Sequence, residues 1–337
     1  MSPATAPPRD ARAFRLLRLD VATGAMAAGD VDDLHTALRS GDLLVVNDSA
    51  TLPGSLWGCL ADGTPLEVRL AGAQPDGAFA AVLFGTGTWR QATEDRGAPP
   101  AVRVGAALIF GDLVATVTEV DAELPRLVRL RFDRDGTALW DALYRLGAPI
   151  QYSYLDDPLD VWDVQTPLAG RPWSVEPPSA GLCLRWELIR DLRRRGVAVA
   201  RITHGAGLSS TGDPRLDARL PLAERSDVPA ATVTAIGATK AQGRRVIAAG
   251  TTVVRALESA APDGHLQPAT GWTHLRLGPT TPTRVVDGLL TGMHEEGTSH
   301  FDLLTALAPT ATLRRAVAAA TAHGFRGHEF GDLMLVA

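Results

Sequence analysis

The residues best suited to hold a ligand lie in the run GTTVVRALES, Gly250 to Ser259. It follows the apolar stretch Val246 to Ala249, and an apolar stretch that ends in Gly and two Thr before a helix-forming segment predicts strand, turn and helix start. Gly250 would let the backbone approach a ligand closely, while Thr251 and Thr252 supply hydroxyls and an N-cap. The first turn of such a helix leaves backbone amides free for an anion, so the run predicts a ligand site.

The second half of this run carries a cation and an anion. Arg255 and Glu258 are three positions apart and can share one face of the helix. Hydroxyls and a planar guanidinium suit a carboxylate or a ribose. A purely structural Arg255, paired with Asp287 or Asp332, is the alternative. A capped surface helix with an exposed ion pair would show the same pattern, so the run needs support from elsewhere.

Length and composition describe a globular protein with more than one core. The 337 residues exceed the usual size of a single hydrophobic core, which favours two domains. Apolar residues make up 45% of the chain and charged residues 21%, which excludes a disordered chain. The formal net charge of -5 provides no general attraction to nucleic acid, although a local basic groove would still bind it.

Cysteine content and hydropathy indicate the cellular setting. Cys59 and Cys183 form no metal-type pair and no disulfide framework, and no other residues have the spacing of a metal site. The first residues lack the apolar core of a signal peptide, and no later run is long enough to cross a bilayer. These features predict a cytoplasmic protein without a metal cofactor or a membrane partner.

Three blocks of elements follow one another along the chain. The first, up to about residue 60, contains a predicted helix near 32–38 and a buried strand in GDLLVVND, 41–48. The second, from about 64 to 132, consists of short β segments such as PLEVRLA and RLVRLRF between turns rich in Gly, Pro and Asp. Such a series predicts a small antiparallel barrel or sandwich.

The third block alternates helices with strands. It contains predicted helices at 137–145, 186–196, 230–242, 301–307 and 313–323, and predicted strands at 197–203, 246–249, 273–277 and 332–337. The simplest architecture is an α/β main domain interrupted by an all-β insertion. The main domain would comprise residues 1–60 and 149–337, and the insertion residues 61–148.

Four separated boxes together resemble one known family. They are GDLLVVND at 41–48, SVEPPSAGL at 174–182, GTTVVRALES at 250–259 and GDLMLV at 331–336. In this order and spacing they resemble the S-adenosylmethionine:tRNA ribosyltransferase-isomerase family of queuosine biosynthesis. The resemblance covers most of the chain, and it is specific because four boxes agree in order.

The resemblance implies an enzyme with S-adenosylmethionine as co-substrate and tRNA as partner. The family transfers the ribosyl part of S-adenosylmethionine to the aminomethyl group of a 7-deazaguanine base in tRNA, isomerises it to an epoxycyclopentanediol, and releases adenine and methionine. The hydrogens on the 5′ carbon beside a sulfonium are acidic, so a positioned base would form an ylide that expels adenine. The family also has a six-stranded β-barrel inserted into an α/β domain, in agreement with the blocks above.

The family pattern assigns candidate roles to polar residues that this chain retains. His204, Glu224 and His294 are the candidates for proton transfer, because an imidazole or a partly buried carboxylate can act near neutral pH. For each histidine, a structural hydrogen-bonding role is the alternative. The candidates for binding substrate and co-substrate are Asn47, Asp48, Ser179, Gly181, Gly205, Gly207, Thr251, Thr252, Arg255, Glu258 and Asp332.

The chain departs from the family pattern in several loops. The family's TNFHLPKSTLL is here the segment 291–301, which lacks the lysine and carries Glu295 and Glu296 beside His294. Such a change would weaken contacts to tRNA phosphates. Cys183 replaces a family histidine, and an inert buried thiol is favoured there over a nucleophile. The basic run 193–195 is favoured as the solvated end of a helix over a phosphate contact.

Three functions therefore stay open. The first is the family's own reaction on tRNA. The second is a diverged enzyme that acts on S-adenosylmethionine with a small-molecule acceptor or with none. The third is a binding protein without catalysis, which the joint survival of the candidate bases and of the run GTTVVRALES disfavours.

Overall fold

The computed structural model describes residues 1–337 and contains eighteen strands and eight α-helices. The strands are β1 Arg15–Leu19, β2 Met26–Asp30, β3 Leu43–Asn47, β4 Ser49–Thr51, β5 Ser55–Leu60, β6 Pro65–Ala73, β7 Phe79–Phe84, β8 Ala107–Phe110, β9 Leu113–Val120, β10 Leu127–Phe132, β11 Gly147–Ala148, β12 Arg171–Ser174, β13 Ala198–His204, β14 Glu224–Val228, β15 Val246–Ala249, β16 Ala269–Thr273, β17 Gly288–Gly292 and β18 Leu333–Val336. The helices are α1 Leu34–Ala37, α2 Gly136–Leu146, α3 Trp186–Arg194, α4 Pro214–Asp217, α5 Ala230–Ala241, α6 Thr251–Ser259, α7 Ser299–Leu304 and α8 Thr310–Ala322.

The main sheet has nine strands in the order β16-β14-β13-β3-β15-β17-β18-β1-β2. β13, β3, β15 and β17 are parallel to one another, whereas β14, β16 and β18 join through antiparallel pairs. Every residue of β3 is buried, and successive residues contribute to different cores: Leu43 and Val45 to one, Leu44 and Val46 to the other. A strand buried on both faces belongs at the centre of a parallel sheet, which explains the continuous apolar run.

Helices cover both faces of the main sheet. One core includes Val253 and Val254 of α6 and Leu313 of α8, and the other includes Leu188 and Ile189 of α3. In α3 the buried residues Leu188, Ile189 and Leu192 recur at helical spacing, and Arg193 and Arg194 in its last turn favour the negative end of the helix dipole.

The inserted region forms a closed antiparallel barrel. Six strands follow the order β5-β6-β7-β10-β9-β8, and β5 pairs back with β8 through Cys59 opposite Ile109, so the sheet has no free edge. The short β11 adds to β5. The α/β main domain with an inserted six-stranded barrel, expected from the sequence and the family resemblance, is confirmed. The exact domain boundaries at 60/61 and 148/149 stay a prediction, and β5 begins the barrel sheet at Ser55.

Several elements differ from the predictions in position or were not predicted. The predicted strand 273–277 is instead β16, Ala269–Thr273, and β14 and β17 were not predicted at all. β14 has the sequence ERSDV, in which only the last residue is apolar, so it lacks the apolar pattern that predicts a strand. In the structure its alternate residues are nevertheless buried. No helix combines the length and the apolar character that crossing a bilayer requires.

Candidate active site

The candidate site lies at the carboxyl ends of the neighbouring parallel strands β13, β3 and β15. Their last residues are His204, Asn47 and Ala249, and β15 continues through Gly250 into α6. Ligands of open α/β sheets bind beyond these strand ends, where helix N-termini also point. Because β14 runs antiparallel to β13, its first residue, Glu224, comes to the same edge of the sheet.

Asn47 connects the ends of β3 and β13 to α6. Its Nδ2 donates to the carbonyl of His204 at 2.8 Å and to Oγ1 of Thr252 at 3.2 Å. Its Oδ1 accepts from the backbone N–H groups of His204 at 2.9 Å and Ser49 at 3.1 Å. The side chain is buried and both its polar atoms have partners, so it positions the other residues of the site.

Glu224 joins His204 and Arg255 in a buried cluster. Its Oε2 lies 2.7 Å from His204 Nε2 and also accepts a hydrogen bond from Arg255 Nη1. Its Oε1 accepts from the backbone N–H of Gly207 at 2.8 Å. His204 is 0% exposed and both Glu224 and Arg255 are 6% exposed. Charge-assisted hydrogen bonds of this kind are strong and fix the geometry of the three side chains.

The buried partner of Arg255 differs from both predicted alternatives. Asp287 binds Lys240 Nζ at 2.6 Å, and Asp332 accepts from backbone N–H groups. Arg255 instead pairs with Glu224, the first residue of β14, which packs against α6. This pairing could not be predicted, because the sequence of β14 does not indicate a strand.

His204 presents an unprotonated ring nitrogen without a partner. Burial, together with the positive charge of Arg255, lowers the pKa of His204 well below 6.5. A neutral imidazole has one N–H, and a carboxylate oxygen beside Nε2 places that hydrogen on Nε2 and the lone pair on Nδ1. Nδ1 is buried and makes no hydrogen bond. A carboxylate that orients an imidazole, whose other nitrogen is free, is the arrangement of a general base.

Arg255 also has an unused donor. Its Nε donates to the carbonyl of Leu275 at 2.9 Å, Nη1 binds Glu224, and Nη2 is buried without a partner. Burial, with a contribution from Arg276, lowers the pKa of Arg255 to about 10, so the guanidinium stays charged at neutral pH. The cluster therefore holds two buried atoms without a partner in the chain, an acceptor on His204 and a donor on Arg255.

The N-terminus of α6 has no side-chain cap. Gly250 has φ 100° and ψ 149°, a conformation that a residue with a Cβ rarely adopts, and no side chain caps the helix. The backbone N–H groups of Thr251 and Thr252 have no partner inside the helix. The turn Ser179–Gly181 lies alongside, because a Cβ added to Gly250 would be 3.7 Å from the Cβ of Ala180. The predicted residues Ser179, Gly181, Thr251 and Thr252 thus lie together.

Three further predicted residues shape the backbone at the strand ends. A Cβ added to Gly205 would lie 2.6 Å from the carbonyl oxygen of Trp173, so only glycine lets β12 approach β13 there. Gly207 supplies the N–H that binds Glu224. Asp48 Oδ1 accepts from Thr203 Oγ1 at 2.6 Å. These contacts hold the strand ends that carry His204 and Glu224 in place.

His294 lies in a separate pair of histidines. Its Nε2 is 2.8 Å from Thr291 Oγ1, and its ring stacks on His300 with centroids 4.8 Å apart. Burial, then the neighbours His300 and His328, lowers the pKa of His294 well below 6.5. Burial and the charge of Arg255 lower the pKa of His300 to about 4, so both rings are neutral at pH 7.

His300 was not selected from the sequence. It lies six residues after His294, in the first turn of α7, and the stacking of the two rings shows that the chain folds back between them. The spacing of two histidines across a Gly-containing loop was the available signal.

Glu258 and Asp332 bind backbone rather than face a free space. Glu258 accepts from the N–H groups of Arg284 at 2.8 Å and of Val285 and Val286 at 3.0 Å. Asp332 accepts from the N–H groups of Arg15 at 2.9 Å and Arg326 at 2.8 Å. These bonds hold loops in place, and a ligand-binding role for either carboxylate stays a prediction that they do not favour.

The substitutions in the family pattern are also accommodated locally. Cys183 is 0% exposed, and burial raises the pKa of its thiol to about 12, which fits the inert thiol expected. Glu295 pairs with the amino group of Met1, and Glu296 accepts from Arg314 Nε at 2.9 Å. Each of the two added carboxylates therefore has a cationic partner in an exposed ion pair.

A cavity of about 210 Å³ lies at the seam between the barrel and the segment that precedes Glu224. The barrel contributes Glu119 and Arg129, and the segment contributes Arg219 and Leu222. Its charged groups pair with one another or with nearby residues, as in Arg219 with Asp121 at 2.8 Å. The chain has no cluster of three or more His, Cys, Asp or Glu side chains that could hold a metal ion.

A nine-stranded α/β sheet with an inserted closed barrel is a fold already seen in a nucleic-acid-modifying transferase. The crystal structure of S-adenosylmethionine tRNA ribosyltransferase from Thermotoga maritima matches with a TM-score of 0.55 and 24% identity, over 99% of this chain and 96% of that chain. This likeness shows the fold alone.

Sequence comparison shows the family. Residues 2–336 match the family described as queuosine biosynthesis protein. S-adenosylmethionine:tRNA ribosyltransferase-isomerases from Anaeromyxobacter dehalogenans (strain 2CP-C) and Methylobacterium radiotolerans are 35% and 36% identical, each over 98% of this chain and 93% and 92% of their own length. The chain therefore belongs to the queuosine biosynthesis protein family, which confirms the resemblance found in the four boxes.

Proposed function

We propose that this chain is an S-adenosylmethionine-using ribosyltransferase-isomerase that modifies a 7-aminomethyl-deazaguanine base in tRNA. Family membership over residues 2–336 and relatives of that name at 35% and 36% identity support the proposal. The observation that carries it is the free Nδ1 of His204, oriented by Glu224 at the ends of the parallel strands. This is an enzyme's arrangement, which disfavours a non-catalytic binding protein.

His204 is the proposed base, with Glu224 as its positioning residue. S-adenosylmethionine supplies an electron-withdrawing sulfonium that acidifies the hydrogens on its 5′ carbon. His204 Nδ1 would take the proton from that carbon, and Glu224 would stabilise the imidazolium that results. The pKa of His204, lowered by burial, keeps the nitrogen unprotonated at working pH.

The remaining site residues are proposed to bind and position. The N–H groups of Thr251 and Thr252 suit the carboxylate of the methionine part, because an open helix N-terminus favours an anion. Arg255 Nη2 is a free donor for a ribose oxygen. Asn47, Asp48, Gly205 and Gly207 hold the strand ends, Ser179 and Gly181 form the wall beside Gly250, and His294 is proposed as a second proton-transfer group.

Neutralisation of the 291–301 loop supports tRNA as the acceptor. The sequence predicted weaker tRNA binding because Glu295 and Glu296 would repel RNA phosphates. Arg314 binds Glu296, so the segment 291–301 presents less negative charge than its own residues suggest. The family lysine is still missing from this segment, so a small-molecule acceptor stays the alternative. A tRNA substrate would place the activity in the cytoplasm, which cell fractionation tests.

The decisive experiment supplies S-adenosylmethionine and tRNA that carries the aminomethyl-deazaguanine base. Release of adenine and methionine together with a new nucleoside in the digested tRNA is the expected result. Release of adenine without a new nucleoside would assign another acceptor, and no binding of S-adenosylmethionine by calorimetry would refute the enzyme. His204→Gln should abolish release, whereas His265→Gln, at an exposed histidine outside the site, should leave it unchanged.

A further inference from the structure

On the opposite face of β14 from Glu224 lies a stack of two arginines and two tryptophans. These residues, the Arg–Trp stack, are Arg171, Trp173, Arg225 and Trp272. The Cζ atom of Arg225 is 3.9 Å from the ring centroid of Trp173 and 5.6 Å from that of Trp272. The Cζ atom of Arg171 is 5.1 Å from the ring centroid of Trp173. The guanidinium of Arg225 is thus held between two indole rings.

Three strands and the barrel fix this stack in place. Arg225 and Trp272 are direct cross-strand partners of β14 and β16, so their side chains share one face. Trp173 comes from β12, whose backbone touches Gly205 beside His204. Trp272 Nε1 donates to the carbonyl of Ala73 at the end of β6, which anchors the stack to the barrel. β16 is also the edge strand of the main sheet.

Arg225 has no anionic partner within the chain. The nearest acid on its strand face, Asp227, is already bound by Arg171 Nη1 at 2.6 Å and by Thr270 Oγ1 at 2.7 Å. Asp48, beside Thr203 on the same face, accepts from that hydroxyl. The side chain of Arg225 makes no ion pair, and its Nε is buried without a hydrogen-bond partner.

The guanidinium of Arg225 lacks hydrogen-bond acceptors along its N–H edge. Cation–π contacts satisfy the faces of the guanidinium, but its N–H edge carries five donors in one plane. In Arg225 the buried Nε–H lacks an acceptor, which is costly unless an anion binds it, and the two Nη groups of this half-buried side chain make no ion pair within the chain. The planar fork matches two oxygens of a phosphate, and arginines beside aromatic rings are how proteins hold single-stranded RNA.

We propose that Arg225 binds a backbone phosphate of the RNA strand whose base enters the site at His204 and Glu224. The inference rests on the proposed function and assigns the surface that function needs. Arg225 follows Glu224 directly in β14, and Trp173 touches Gly205 at the end of β13, so the stack adjoins the strand ends that carry the site, on the opposite face of β14.

The test measures binding of the precursor-bearing tRNA as a function of salt, with the full-length protein. Arg225→Gln should weaken binding on the order of tenfold and reduce the slope of log K against log salt by about 0.7 to 1, the value of one phosphate contact. Arg225→Lys should keep the slope and lose part of the affinity, since charge is retained without the planar fork. In turnover, Arg225→Gln should raise KM for tRNA with kcat unchanged.

Arg193→Gln is the matched control. Arg193 is an exposed arginine in the last turn of α3, which leads into the amino end of β13, far from the site. It removes the same charge and should change neither the affinity nor the salt slope. Affinity for S-adenosylmethionine should also be unaltered in Arg225→Gln, because Arg225 and Glu224 face opposite sides of β14.

The outcomes separate this proposal from the function on which it rests. Wild-type protein that binds no tRNA would overturn both. Normal tRNA binding by the wild type with an unchanged slope in Arg225→Gln would overturn only the phosphate site, as would an equal loss in Arg193→Gln. Inorganic phosphate that binds the wild type but not Arg225→Gln, with tRNA binding intact in both, would assign the site to a free phosphate and refute the RNA contact.

Discussion

Removal of the carboxylate from the buried cluster should destabilise the protein more than any contact at its surface. In Glu224→Gln the guanidinium of Arg255, whose side chain is 7% exposed, keeps its charge without a counterion. Arg255→Met leaves the opposite fault, a buried carboxylate near a neutral histidine. Loss of one partner from a buried ion pair costs about 3 to 5 kcal/mol. Either single variant should therefore lose that much of the free energy of unfolding.

The double variant provides the sharper test. Glu224→Gln with Arg255→Met leaves two neutral side chains of similar volume, and buried ion pairs replaced in this way are often close to neutral in stability. The singles together predict a loss of about 6 to 10 kcal/mol, so a double variant that loses only about 1 to 4 kcal/mol would show a coupling of several kcal/mol.

Urea unfolding followed by circular dichroism and by tryptophan fluorescence measures all four proteins. Coincident transitions are needed, because a chain with a barrel and a separate sheet can unfold in two steps. Losses that add within about 0.5 kcal/mol would mean that Glu224 and Arg255 do not form the buried pair, and the arrangement of the candidate base would then be wrong.

Three further predictions concern titration and reactivity. Burial lowers the pKa of His294 well below 6.5 and of His300 to about 4, so the unfolded chain binds more protons at these histidines below about pH 6.5, and in the Glu329→Gln variant, where Glu329 cannot oppose this effect, urea midpoints should fall from pH 6.5 to 4. Burial raises the pKa of Glu329 from its ordinary 4.5 to about 7, so its folded state binds more protons in that range and stability should fall as pH rises through it, by up to about 3 kcal/mol. Glu329→Gln should remove this loss, and an unchanged pH profile would contradict it. Ellman's reagent should modify Cys59 in the folded protein and Cys183 only after unfolding, and rapid reaction of both would contradict the inert thiol.

The sequence predicts the elements whose local pattern is strong. β3 is a continuous apolar run between polar turns, and α6 follows Gly250, which marks the turn between β15 and the helix. Both elements were therefore predicted with nearly correct boundaries. β14 was missed because four of the five residues in ERSDV are polar, and its strand character comes from pairing with β13 and β16. Tertiary pairing there outweighs local propensity.

The candidate site was predictable as a set of residues and not as an arrangement. His204, Glu224 and Arg255 were all selected as candidates. Their contacts could not be predicted, because Glu224 is 20 residues from His204 and 31 residues from Arg255 in the sequence. The alternative role of Arg255, a structural pairing with Asp287 or Asp332, named the wrong partners, because charge alone does not identify a partner. Arg225 drew no attention, since nothing in the sequence shows that Asp227 is already bound by Arg171.

The position of β3 at the centre of the main sheet has a consequence for synthesis of the chain. Its two neighbours are β13 and β15, which begin at residues 198 and 246, whereas the barrel strands are complete by residue 148. A ribosome therefore releases the whole barrel while β3, every residue of which is buried in the folded protein, still lacks both partners. We expect the barrel to fold first and to stand beside an unpaired β3, which is the segment that most needs a chaperone until the second half of the chain emerges.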